Sequence, residues 1–80
     1  MTKKEKADRT LDCLGLFCPE PVYRTRLELD QMQVGETVEV WTDDPAAERD
    51  IQSLANRLGH KIIEMRKEGD KLYFLIEKSK

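Results

Sequence analysis

A two-layer α/β (α+β) sandwich is the fold this sequence predicts, with elements in the order βαβαββ and two helices on one face of a four-stranded mixed sheet. Three observations lead there. Two segments carry apolar residues at helical spacing, short β-rich segments separate and follow them, and a strand twice runs through a proline-marked junction into a helix. A repeated βα pair closed by a hairpin keeps both helices on one side of the sheet, with right-handed crossovers.

The first nine residues are polar and charged apart from Met1 and Ala7, so residues 1–9 are expected to form a mobile lead-in and residues 10–80 the domain. A short strand follows from about Arg9 to Cys13 and ends in a loop where Gly15 supplies a positive φ. From Pro19 to about Met32, the residues Val22, Thr25, Leu29 and Met32 recur at spacings of three and four and mark one face of a helix. Gly35 is its expected stop. Thr37 to Thr42 alternates Val38 and Val40 with Glu39 and Trp41, a strand with one buried face. Asp43-Asp44-Pro45 then starts a second helix, with Asp44 as N-cap and Pro45 at the first helical position. Ala47, Ile51, Leu54 and Leu58 form its apolar stripe, and Gly59 closes it. Strands over about Lys61 to Arg66 and Lys71 to Glu77 meet at a turn around Glu68-Gly69-Asp70. Trp41, Tyr73 and Leu75 fall on the sheet face away from the helices.

Composition narrows the function. The chain has 80 residues, enough for one small core. A net charge of −2 argues against direct nucleic-acid binding, which normally shows a basic footprint. No apolar run approaches the ~18 residues that cross a bilayer, so no membrane contact is expected and a cytoplasmic location is. Two cysteines without an export signal read as thiols. With the single His60 they offer no zinc spacing, so no metal is expected.

Cys18 carries the chemistry. Pro19 suits the first helical position, which makes Cys18 the expected N-cap, with its sulfur in the positive field of the helix N-terminus. Such fields lower cysteine pKa values to roughly 3.5–7.5. Pro21 adds a second proline to the first turn, leaving the amides of Glu20 and Val22 to face the sulfur. The Glu20 carboxylate opposes that effect, and the net expectation is a lowered pKa. His60, directly after Gly59, is read as complementing the helix C-terminus rather than as a base. Asp43 is given no catalytic role.

Leu11-Asp12, Gly15-Leu16, Cys18-Pro19-Glu20-Pro21-Val22, Gly35-Glu36-Thr37, Asp43-Asp44-Pro45-Ala46, Arg49-Asp50-Ile51 and Gly59-His60 together resemble the TusA/SirA family of sulfur carriers. The likeness runs from about Leu11 to Lys78. It implies that Cys18 accepts a persulfide sulfur, supported by Asp12, Gly15, Pro19, Glu20 and Pro21, and passes it on without a cofactor. The implied role is that of a carrier rather than a stand-alone turnover enzyme. The implied partners are a cysteine desulfurase or other persulfide donor and an acceptor sulfurtransferase. The pathways implied are tRNA 2-thiouridine formation, molybdenum cofactor synthesis or sulfur oxidation.

Cys13, at a variable position of that pattern, is either a buried strand-end residue or a resolving thiol for Cys18. Two other classes therefore remain open, a dithiol redox protein using Cys13 and Cys18 and a non-catalytic regulatory interaction module. Tyr23 and Leu27 share the helix side opposite the apolar face and, with Arg26, are expected to seat the donor or acceptor. The free chain is expected to be a monomer.

Overall fold

The computed structural model describes residues 7–80. The chain runs β1 (Arg9–Cys13), α1 (Glu20–Gln31), β2 (Thr37–Thr42), α2 (Ala47–Leu58), β3 (Lys61–Glu68) and β4 (Lys71–Glu77). The strands form one sheet in the order β1-β2-β4-β3. β1 is parallel to β2, and β4 is antiparallel to both β2 and β3. The predicted βαβαββ sandwich is what forms. Residues 1–6 of the expected lead-in lie outside the described residues, but its last two belong to the domain. Asp8 exchanges hydrogen bonds with Thr37, and Arg9 starts β1 and pairs with Glu28 at 2.9 Å.

The core lies between the sheet and the helices because the alternation in β2 and β4 points one set of side chains inward. Val38, Val40, Phe74 and Ile76 are wholly buried there, against Leu29 of α1 and Ile51 of α2. Burying each such side chain is worth about 1.5–3 kcal/mol. The apolar face predicted for α1 is the one buried, and it includes Thr25, whose hydroxyl donates to the Pro21 carbonyl at 2.7 Å and so leaves no polar group unpaired.

The outer face of the sheet is covered by its own side chains. The Trp41 and Tyr73 rings meet at 4.9 Å, the Arg66 guanidinium lies 4.3 Å from the Tyr73 ring centre, and the Tyr73 hydroxyl donates to Glu39 at 3.2 Å. Tyr73 is consequently only 6 % exposed, despite facing away from the helices. β3 runs two residues past the expected Arg66 because Lys67 and Glu68 pair with Leu72 and Lys71, and a register shift between Ile62 and Glu64 leaves Ile63 as an extra residue. That insertion breaks the strict alternation from which strand limits are read.

The helix termini depart from expectation in part. α2 ends as expected at Gly59, whose φ of +83° allows the His60 amide to reach back to the Ala55 carbonyl at 2.8 Å. α1 instead ends at an extended Met32, and Gly35 belongs to the following turn, which the Glu36 amide closes on the Gln33 carbonyl. The Leu29 carbonyl, which accepts the Met32 amide at 3.1 Å, also receives the Lys78 ammonium at 2.7 Å, a cation where the helix dipole favours one. His60 is not a protonated cap. Its Nδ1 accepts the Ser79 amide at 3.2 Å, and desolvation, aided by Lys78, lowers its pKa.

Candidate functional site

Parallel pairing of β1 with β2 sets Cys13 opposite Thr42, so the two strands end together and release their loops side by side. The first loop contains Cys18 and the second contains Asp43 and Asp44. Their backbones are tied by side chains. Asp12 accepts the Leu14 amide at 2.9 Å and starts the first loop, and Gly15 turns it with a φ of +82°. Asp43 of the second loop accepts the Gly15 amide at 3.0 Å, and Asp44 Oδ2 accepts the Cys18 amide at 2.7 Å.

Asp44 therefore has two duties. Its Oδ1 accepts the Ala46 amide at 3.1 Å, the capping chemistry expected of it, although regular α-helix begins only at Ala47. Its second oxygen crosses to the sulfur-bearing loop. The carboxylate is only 8 % exposed, and its backbone amide rests on the Thr42 hydroxyl at 3.3 Å.

Cys18 lies one residue outside the place expected for it. The Cys18–Pro19 peptide is cis, and the Glu20 amide closes a turn onto the Phe17 carbonyl at 2.8 Å. The first intrahelical bond runs from the Tyr23 amide to the Pro19 carbonyl at 3.0 Å, so Pro19 is the N-cap and Pro21 lies inside the first turn. With the Glu20 amide occupied by Phe17, a donor expected to face the sulfur is absent. Glu20 itself turns to Arg24 at 3.2 Å, away from any role at the thiol, while Pro21 is buried against the core.

The electrostatics reverse the expected direction. The exposed Cys18 thiol donates to Asp50 Oδ2 at 3.6 Å. Partial desolvation, then the hydrogen bond and charge of Asp50, then the charge of Asp44, raise its pKa instead of lowering it. In the isolated chain Cys18 is a thiol held by a carboxylate. Sequence reasoning passed over Asp50 because 32 residues separate it from Cys18 and no local pattern joins them.

Cys13 is completely buried in the core, where desolvation raises its pKa. A resolving thiol must reach its partner sulfur, and this burial argues against that role. Tyr23 is 57 % and Leu27 43 % exposed, and Arg26 is exposed beside them, so all three are accessible. Phe17 was missed. It is 74 % exposed directly before Cys18, with the half-exposed Leu14 in the same loop. An apolar run, Leu14 to Phe17, in a loop of neither helical nor strand period was the signal for it.

The sequence matches the family described as Sulfurtransferase TusA over residues 9–78. It is 48 % identical over 59 residues to a candidate sulfur carrier protein of Archaeoglobus fulgidus, covering 74 % of this chain and 77 % of that one. It is 38 % identical over 72 residues to the sulfur carrier protein TusA of Allochromatium vinosum, covering 90 % and 95 %. Among solved structures, the SirA-like protein of Desulfitobacterium hafniense superposes with a TM-score of 0.77 at 27 % identity, covering 90 % of this chain and 99 % of that one.

Proposed function

The chain belongs to the TusA sulfurtransferase family of sulfur carriers, and from that premise we propose that Cys18 is the residue that carries the sulfur. The observation behind the assignment is the contrast between the two cysteines: Cys18 is exposed at a turn pinned by Asp44, and Cys13 is sealed in the core. A transferable sulfur needs an accessible nucleophile on a fixed support.

In the proposed step the Cys18 sulfur attacks the terminal sulfur of a donor persulfide, R–S–SH. The donor S–S bond breaks as the new one forms, and the donor leaves as a thiol carrying the proton that Cys18 gives up. Cys18 becomes a persulfide, and the same exchange in reverse delivers the sulfur to an acceptor. Sulfur moves without any net oxidation or reduction of the pair, so the step requires no bound cofactor.

The partners proposed are a cysteine desulfurase as donor and a sulfurtransferase as acceptor, both in the cytoplasm, with the free carrier a monomer. The sulfur would pass to tRNA 2-thiouridine formation, with molybdenum cofactor synthesis and sulfur oxidation as the competing fates. The partner closes over Phe17 and Cys18 and seats on Tyr23, Arg26 and Leu27, an apolar surface with a cation at its side. Mass spectrometry after incubation with a cysteine desulfurase and cysteine tests the assignment. A gain of one sulfur on Cys18 supports it. Loss of two hydrogens would establish the dithiol redox reading, and an unmodified chain would favour a regulatory module.

A further inference from the structure

The site holds an unbalanced charge beside its nucleophile. Asp50 Oδ2 is 3.6 Å from the Cys18 sulfur, and Asp44 holds the amide of the same residue at 2.7 Å. Glu20 of α1 is neutralised by Arg24 at 3.2 Å. Among the described residues no Lys or Arg forms an ion pair with Asp44 or Asp50, and Arg49, which lines the same open groove of about 780 Å³ as Asp50, forms none at all. A half-exposed carboxylate with an unfilled oxygen therefore faces the surface that any sulfur donor must approach.

We propose that Asp50 gates the transfer: its carboxylate holds the hydrogen of the Cys18 thiol in the unpartnered chain, and a cationic side chain beside the donor's persulfide frees the sulfur by pairing with Asp50. This deepens the carrier reading and rests on it. A thiol hydrogen-bonded to a carboxylate is a poor nucleophile, because forming the thiolate would place two negative charges side by side. An arriving cation removes that penalty and supplies a charge-assisted hydrogen bond to the carboxylate. The device restricts reaction to partners of the right charge and protects the free carrier from stray electrophiles. Transfer still balances, because the proton leaves with the released donor thiol.

Asp50→Asn keeps the shape and removes the charge, and Asp50→Glu restores a carboxylate. The pH dependence of Cys18 alkylation by iodoacetamide, a neutral probe, is expected to shift to lower pH in Asp50→Asn, with at least a threefold faster rate at pH 7. Asp50→Glu should return towards wild type. An unshifted profile in a folded Asp50→Asn protein overturns the holding role. For the cation, sulfur loading is compared between a cysteine desulfurase and glutathione persulfide, which brings no net positive charge. The preference of wild type for the protein donor should fall at least tenfold in Asp50→Asn, and an unchanged preference overturns the gate. Failure of wild-type Cys18 to load from either donor would remove the carrier reading instead, while the alkylation profile still decides whether Asp50 holds the thiol.

Discussion

The two strand-to-helix junctions begin from the same recipe, a polar or sulfur-bearing residue followed by proline, and end as opposites. At the second, Asp44 satisfies the Ala46 amide with one oxygen and is nearly buried. At the first, Cys18 makes no cap, its turn is closed by backbone alone, and its amide depends on the other oxygen of Asp44. An aspartate can stabilise its own junction and its neighbour's, whereas the cysteine caps nothing and leaves its sulfur exposed beside Asp50. One junction is the clamp and the other is the tool it holds.

The comparison breaks most sharply at the tool. Cys18→Ser should abolish sulfur loading completely, yet change the unfolding free energy measured in urea by less than about 0.5 kcal/mol, because the side chain is exposed and caps nothing. Cys13→Ser should retain loading, and its loss in a folded variant would contradict a one-cysteine carrier. At the clamp, Asp44→Ala should cost about 3 kcal/mol in urea denaturation, since it removes the charged acceptor of two amides. It should also alter the Cys18 alkylation rate, which a purely capping Asp44 would leave unchanged. Asp43→Ala, which frees only the exposed Gly15 amide, should cost about 1 kcal/mol.

The smallest effect lies far from both junctions. The His60 pKa is lowered in the folded chain, so its contribution is present above the unfolded value of about 6.5 and is lost as pH falls through the folded value. Protonation at Nδ1 would remove the acceptor of the Ser79 amide. The stability difference between wild type and His60→Ala should shrink on acidification from pH 7 to pH 5. A constant difference would show that His60 does not titrate with folding.

Much of the frame was legible because local chemistry decides it. The limits of β1 and β4, the buried faces of both helices and the Gly59 terminus all follow from spacing or backbone conformation within a few residues. Cys18 was singled out by its proline neighbours and its family pattern, and the fold leaves it the exposed cysteine of the two. Its environment was not legible. The pKa direction is set by partial desolvation and then by Asp50 and Asp44, groups brought to Cys18 by a fold in which β1 and β2 are adjacent and parallel. Local rules counted the helix field and Glu20, and the tertiary fold replaced both. The bulge at Ile63 and the cover over the outer sheet face are likewise products of pairing register rather than of any short pattern.

The Trp41–Tyr73 contact gives the chain a built-in optical gauge. Trp41 is the single tryptophan, and it lies on β2, one of the two interior strands, with a tyrosine ring 4.9 Å away, close enough for efficient energy transfer. The Tyr73 contribution to tryptophan emission is therefore greatest while β2 and β4 stay paired, and falls as the strands part. Alkylation of Cys18 reads the opening of one loop, and this emission reads the integrity of the sheet beneath it. Recording both on one sample separates a loosened tip from an unfolded molecule.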